Sequence, residues 1–402
     1  MTLNQQTAVR KTAANRDELI EKARQIGVIA EKHASEAEKN AKLSDVVIEK
    51  IREAEFHKLL RPKAYGGQDL DYFTFGEMIR TIAYHSVPAA WLSYFFVIHE
   101  TWPAFLPKES RDELFNDGGL MADVFAPVGK VTDDGEGYRL SGQWNFCSGV
   151  LWSDWIALGA VAKLKDGDAP EYSMYIVHKN DVEIVDNWDT LGLRGTGSNG
   201  VLVDNVYIPP NRVFKMARVM AGQGLGKDNY EPEYQIANVP YMQFFLMGFQ
   251  FIQIGGVERL LDIFQNKTEN RIRIFNHGQN EKEAASSQRV LAEMKIQLSS
   301  LKGLSNEYLE RLTHYQENSM TTLDEEEREK LFAIRGYVSK NAAEMALRVL
   351  LTLGGNSIFK TDPTEMFVRD IMTVAVHPTH LYEDSLAAYG KSIFGFKGNP
   401  TW

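Results

Sequence analysis

Apolar residues recur at three- and four-residue spacing from about Asp17 to Leu60, with Leu19, Ile20, Ala23, Ile26, Ile29 and Ala30 set among Glu and Lys, and this spacing predicts helix. Ser44 is a good N-cap for a second helix, which ends before Pro62. Tyr65-Gly66-Gly67 reads as a turn. Residues 72–85 and 88–106 read as two strongly apolar helices, the second carrying Trp91, Tyr94, Phe95, Phe96, His99 and Trp102. Such aromatic density predicts burial on most sides. Near Gly118, Gly, Asp and short β-branched segments replace helical periodicity. Segments 139–149, 155–164, 172–178, 182–197 and 200–209 predict strands between polar turns, and Pro209-Pro210 closes the region. Helical periodicity returns from about Tyr230, over roughly 234–264, 286–317, 324–353 and 379–394, in lengths that suit a helical bundle. The pattern predicts an α+β chain: a helical domain over 1–117, a β domain over 118–228 and a helical bundle over 229–402.

With 402 residues, 44% of them hydrophobic, the chain can bury substantial cores. No uninterrupted apolar run approaches the ~20 residues that cross a bilayer, and the first residues lack the apolar stretch of a secretory signal. A cytoplasmic globular protein with no membrane partner is expected. The single cysteine, Cys147, excludes an intrachain disulfide framework and a multi-cysteine zinc site. A formal net charge of −10 argues against nucleic acid as a partner, since affinity for phosphate backbones comes from accumulated Lys and Arg. No Gly-x-Gly-x-x-Gly follows a strand, and Gly222-Gln-Gly-Leu-Gly226 lacks that spacing, so no NAD(P)H site is expected here.

Several local motifs, in order and over nearly the whole chain, resemble those of the acyl-CoA dehydrogenase superfamily. They are Leu60-Arg61-Pro62 with Ala64-Tyr65-Gly66-Gly67, then Gly142-Gln-Trp-Asn-Phe-Cys-Ser-Gly149, then Trp188-Asp-Thr-Leu-Gly-Leu-Arg-Gly-Thr-Gly197, and finally Leu353-Gly354-Gly355 with Arg369-Asp370. The resemblance implies an N-terminal helical domain, a central β-barrel and a C-terminal four-helix bundle, assembled as a homotetramer. It also implies a flavin, with Ser148 bonding near N5 and Phe146 packing beside the ring. Two residues apart on a strand, these side chains would face the same way. An ordinary turn-bounded strand is the plainer reading of the same residues.

Acyl-CoA dehydrogenases use a carboxylate base, because hydride leaves only as the neighbouring C–H is deprotonated. The resemblance places that base shortly after Arg369-Asp370, where His377-Pro378 stands, or near Phe245; neither position is acidic. Tyr382-Glu383-Asp384 mimics the family's Tyr-Glu-Gly about five residues late, which keeps an FAD-dependent dehydrogenase or oxidase as the alternative. Trp91 followed eight residues later by His99, with Ala104-Phe105 beyond, is more similar to the two-component reduced-flavin monooxygenases of this fold, whose C-terminal histidine matches His377. These include p-hydroxyphenylacetate hydroxylase and dibenzothiophene monooxygenase types. The implied activity is oxygenation of a small aromatic or heteroatom-containing substrate by O2 and reduced flavin, through a C4a-hydroperoxyflavin, with reduced flavin delivered by a separate reductase.

In that reading His377 and His99 bind the substrate together with Trp91 and act with Ser148 in catalysis, since imidazole can take or share a phenol proton near neutral pH. A satisfied core histidine is the plainer reading of His99. His380 would share a helical face with His377, but no third ligand is spaced to complete a metal site, and none is expected. Arg271, with Arg273 as its alternative, stands where the family has an arginine on the flavin phosphate, although Ile272 holds the strict position. Gly354 and Gly355 belong to the cofactor-binding glycine motif, but Leu351 replaces its glutamine, which favours reduced FMN (FMNH2) over FAD.

Overall fold

In the computed structural model of the chain, which describes residues 13–68, 70–116, 119–163, 169–221, 234–273 and 278–397, the helix starts follow capping chemistry. Helices α1 (Ala13–Lys32), α2 (Ala34–Asn40) and α3 (Asp45–Glu53) occupy the first periodic stretch, with Ser44 at the N-cap of α3 as expected. Its hydroxyl makes no capping bond. The Asp71 carboxylate accepts the Thr74 N–H (2.9 Å) to open α4 (Tyr72–His85). The Ser86 hydroxyl accepts the Ala89 N–H (3.3 Å) to open α5 (Val87–Ile98), whose first turn holds Pro88, a position where the missing N–H costs nothing. Every residue of α5 is buried. The expected helix to residue 106 ends early: His99–Phe105 tightens into 3-10 turns containing Pro103, before α6 (Lys108–Asn116).

Seven strands follow: β1 (Leu120–Asp133), β2 (Tyr138–Trp144), β3 (Ser153–Ala162), β4 (Glu171–His178), β5 (Glu183–Val185), β6 (Gly200–Ile208) and β7 (Val213–Phe214). They form one mixed sheet in the order β5-β6-β2-β1-β3-β4-β7. Strand β1, which the pattern missed, is its spine. Its first five residues are buried on both faces and so show no alternation. Its start pairs parallel with β3 and its end antiparallel with β2, with a register shift between Val124 and Gly129 where it bends. The hydrogen-bonded order never joins β5 to β7. Where a β-barrel is expected, the described residues form a mixed sheet bent around its own core of Leu140, Trp144, Ile156, Leu158, Tyr175 and Val203.

The C-terminal part comprises α7 (Met216–Met220), α8 (Tyr241–Phe245), α9 (Phe249–Asn270), α10 (Ala285–Glu317), α11 (Glu325–Leu353), α12 (Pro363–Ala375) and α13 (Tyr382–Ile393). Helix α11 is packed by α9, α10, α12 and α13. The helix expected over 234–264 is interrupted between Phe245 and Phe249, and α12, with its Asp362 cap and Pro363 start, lies outside the expected helices. One continuous apolar core joins residues of α1, α4 and α5 to residues of α9, α10, α11 and α12. The boundaries expected at 117/118 and 228/229 fall outside the described residues. No helix among the described residues is long and apolar enough to cross a membrane.

The helical core grips the sheet region through α12. The Leu193 N–H donates to Asp370 Oδ1 (2.6 Å), while Arg369 pairs with Glu365 (2.6 Å) and Glu38 (2.9 Å) and donates to the Leu191 carbonyl (2.6 Å). Gly192 is required between them, since a Cβ there would lie 2.2 Å from the Arg369 oxygen. Burial raises the Asp370 pKa from 3.8 to about 7. Because the folded value exceeds the unfolded one, the stability contributed by this proton is complete below the unfolded value and is lost as pH rises through about 7. Asp370→Asn keeps an acceptor for Leu193 and cannot ionise, so its stability relative to wild type should rise by roughly 1–3 kcal/mol between about pH 5 and about pH 8. Urea denaturation at both values checks this, and a difference independent of pH would contradict it.

Candidate functional site

Helix α5 and the turn after α12 meet at Trp91. Its indole N–H donates to Ser148 Oγ (2.9 Å), which lies 3.0 Å from Ser198 Oγ; that hydroxyl is 2.8 Å from Thr196 Oγ1, which donates to the Leu193 carbonyl (2.9 Å). The half-buried His377 ring stands 5.5 Å from Trp91 and 4.9 Å from Phe249, centroid to centroid. Burial pushes the His377 pKa down to about 4, so the imidazole is neutral at neutral pH. Its Nδ1 is 2.8 Å from Thr379 Oγ1, which is 3.1 Å from His380 Nδ1; His380 Nε2 lies 2.6 Å from the Val374 carbonyl. Rings continue inward from Trp91 to Phe95 (5.0 Å) and from Phe95 to His99 (4.9 Å), which lies nearly parallel to Phe245 (6.1 Å, 15°).

His99 is fully buried. Its Nδ1 is 3.0 Å from the Met121 carbonyl, which can only accept, so Nδ1 carries the hydrogen and Nε2 the lone pair. Nε2 faces Asp123 Oδ2 at 3.3 Å, a close approach that falls short of an aligned hydrogen bond. Burial lowers the His99 pKa to about 3 and raises that of Asp123 well above its ordinary value. Both directions describe a neutral imidazole beside a protonated carboxyl, an arrangement without net charge in a dry interior.

Ser148, Trp91, His377 and His99 thus lie along one cluster of aromatic rings. Phe146 differs in its local structure. Strand β2 ends at Trp144, so Phe146 and Ser148 lie on a loop, and the shared-face argument does not apply. The strand ends because the Asn145 side chain turns outward to accept from Asn187 (2.9 Å), while the Cys147 N–H pairs with the Asn199 carbonyl (3.0 Å). Phe146 is 52% exposed and meets Trp188 edge to face at 5.0 Å. An exposed Phe146 against a half-buried Trp188, near the Ser148 hydroxyl, suits the flat ring and polar edge of a flavin.

Arg271, Gly354 and Gly355 form a second cluster. Arg271 Nη1 donates to the Leu353 carbonyl, Gly354 has φ +71°, which favours glycine, and a Cβ on Gly355 would meet nothing within 4 Å. A guanidinium over an open glycine backbone fits a phosphate. Lys267, on the same end of α9, contacts Thr364 (3.1 Å) in the first turn of α12, whereas the His377 turn follows its last turn; ten residues of helix separate these ends by roughly 15 Å. Leu351 is 70% exposed. Arg273 pairs with Glu281 (3.1 Å).

Glu383 stands on the exposed first turn of α13, and Phe245 is an aromatic wall residue, so neither offers a buried base. His377 and His380 are stacked at 5.5 Å, with His380 Nε2 committed to a carbonyl; no group of metal ligands occurs among the described residues. Gly222–Gly226 lies outside the described residues. Sequence reasoning missed Asp123 and Thr379, and named Trp188 only as the first residue of a motif. A lone acid inside the run Leu120–Val124 was the available signal for Asp123; Thr379 had none.

Residues 247–381 match the family described as acyl-CoA dehydrogenase, C-terminal domain. The oxygenase component of p-hydroxyphenylacetate 3-hydroxylase from Acinetobacter baumannii is 26% identical over 390 residues, 95% of this chain and 90% of that protein. The oxygenase subunit HsaA of a flavin-dependent monooxygenase from Rhodococcus jostii is 30% identical over 207 residues, 50% of this chain and 54% of that one. Among solved structures, XiaF from Streptomyces sp., in complex with FADH2 and glycerol, has a TM-score of 0.88 at 22% identity, covering 97% of this chain and 98% of its own. Over residues 247–381 the chain thus resembles the acyl-CoA dehydrogenase C-terminal domain, and proteins similar to it are named oxygenase components of flavin-dependent monooxygenases.

Proposed function

We propose that this chain is the oxygenase component of a two-component flavin-dependent monooxygenase. It takes reduced flavin from a separate reductase and uses O2 to oxygenate a small aromatic or heteroatom-containing substrate. The observation that carries this reading is the neutral His377 imidazole packed on Trp91 and Phe249 where a dehydrogenase would need a carboxylate, with the displaced Glu383 exposed on α13.

Bound reduced flavin would supply the electrons that activate O2. Phe146 and Trp188 would flank its ring, Ser148 would bond its polar edge, and Arg271 with Gly354 and Gly355 would hold phosphate. Trp91, Phe95 and Phe249 keep water from the substrate. His377 takes or shares the proton of a substrate hydroxyl, and His99, with Asp123 behind it, holds a polar group at the inner end. We assign FMN as the flavin because Leu351 cannot make an amide contact to an adenine-side group. We further assign three domains, over 1–117, 118–228 and 229–402, a homotetramer in which the Arg271 cluster serves a neighbouring subunit's flavin, and a cytoplasmic location.

The purified chain alone should not oxidise NADH; efficient turnover without a reductase would overturn the two-component reading. Anaerobic calorimetry should give tighter binding for reduced FMN than for FAD, and FAD retained through purification would instead support a dehydrogenase. In His377→Ala, oxygenation should fall by ~100- to 10,000-fold while reduced flavin is still oxidised, its electrons appearing as hydrogen peroxide. Glu383→Gln should leave the ratio of product to oxygen consumed nearly unchanged; a collapse there with a harmless His377→Ala would move the chemistry to the shifted Tyr382-Glu383 pair.

A further inference from the structure

The hydrogen bonds behind His377 have one fixed end. The Val374 carbonyl can only accept, and His380 Nε2, 2.6 Å away, must therefore carry a hydrogen. His380 is fully buried, and desolvation first, then the neighbouring His377 and Arg335, hold its pKa well below the ordinary value. A neutral imidazole protonated at Nε2 has its lone pair at Nδ1. Thr379 Oγ1, 3.1 Å from that nitrogen, must then donate to it. A hydroxyl has one hydrogen. With it committed to His380, the Thr379 oxygen can only accept at its other contact, 2.8 Å from His377 Nδ1.

We infer that Thr379 and His380 are positioning residues that hold His377 as the Nδ1–H tautomer and leave its Nε2 as a bare lone pair facing the substrate space. Nε2 makes no hydrogen bond among the described residues and is not sealed from its surroundings. The opposite proton order would have Thr379 donate to His377, which requires a doubly protonated His380 in a buried position beside a guanidinium. The Thr379 amide N–H also approaches His377 Nδ1, at 3.4 Å, and would call for a lone pair there. At 3.4 Å that contact is long for a hydrogen bond, and the order set by the acceptor-only Val374 carbonyl, 2.6 Å from His380 Nε2, prevails over it.

The surroundings agree with this order. From α11, Arg335 places Nη2 3.4 Å from the Thr379 carbonyl and Nη1 3.0 Å from the Tyr308 hydroxyl; no carboxylate pairs with it among the described residues. Its charge opposes a proton on His380. Phe249 from α9 and Trp91 from α5 cover the remaining ring faces and add no charge. The chain of bonds ends on an amide carbonyl, which holds no proton to pass on. It orients His377 and conducts nothing. At Nε2 the lone pair can accept the proton of a substrate hydroxyl, giving an imidazolium whose Nδ1–H still donates to Thr379; that proton returns to solvent or product when the site opens.

The consequence for catalysis rests on the function proposed above, but the tautomer is measurable on the protein alone. Magic-angle-spinning NMR of protein labelled with 15N-histidine, at neutral pH and without flavin, distinguishes protonated from bare ring nitrogens. The His377 signals among those of the nine histidines are identified by their loss in His377→Gln. The expected result is Nδ1–H with bare Nε2 in wild type and in Thr379→Ser. In His380→Phe the Thr379 hydrogen is released to His377, and in Thr379→Val the hydroxyl acceptor is gone; both should move His377 toward Nε2–H. Thr379→Val should also lower kcat for oxygenation roughly 10- to 100-fold, with little change in affinity for reduced flavin. Nε2–H in wild type, or an unchanged tautomer in both variants, overturns the inference. The expected tautomers together with undiminished oxygenation by His377→Ala would overturn the function instead.

Discussion

Water is excluded from helix α5 on every side, and the chemistry of the site follows from that exclusion. In a helix with no exposed residue each polar side chain left without a partner costs about 1–3 kcal/mol, and in α5 the Ser93 hydroxyl alone is left so. The Tyr94 hydroxyl accordingly reaches the Phe245 carbonyl, Trp91 reaches Ser148, and the following turn sends Thr101 to the Ile98 carbonyl (2.6 Å) and His99 to Met121. The bonds that relieve burial also place the functional groups. Burial pushes His377 and His99 toward the neutral imidazole and raises the Asp123 pKa well above its ordinary value.

Helix α12 connects this interior to the Arg271 cluster and to the loop after β5. Its first turn meets Lys267, close in sequence to Arg271, while its Arg369 and Asp370 secure the loop that carries Trp188 and Leu193. Its last carbonyls hold His380 and through it the turn of His377. A displacement of α12 would therefore alter the aromatic wall, the sheet loop and the imidazole orientation together. The buried Asp370, lacking a charged partner as near as its Leu193 N–H, makes that attachment sensitive to protonation.

Much of the arrangement was legible in the chain, because its clearest signals are local. Asp71, Ser86 and Pro88 mark helix starts by chemistry that needs no distant partner, and α4 occupies the very stretch its periodicity indicates. The motif residues Trp91, Ser148 and His377 do converge. What escaped was non-local. Strand β1 is buried on both faces at its start, so its residues show no period of two. The end of β2 before Phe146 depends on Asn187 and Asn199, more than forty residues away. Asp123 became meaningful only beside His99, and Thr379 only between two imidazoles.

The sequence by itself determined the helix, sheet, helix order, the aromatic character of α5 and the absence of a carboxylate at the position following Arg369-Asp370. These are properties of composition and short-range spacing, and folding does not change them. Tertiary structure decided which groups are charged and where their protons lie. Burial separates the exposed Glu383 from the half-buried His377, and one backbone carbonyl at the end of α12 sets the direction of the side-chain bonds that run through His380 and Thr379 to that ring. Proton position depends on desolvation and on the nearest acceptor in space, and neither quantity exists until the chain has folded.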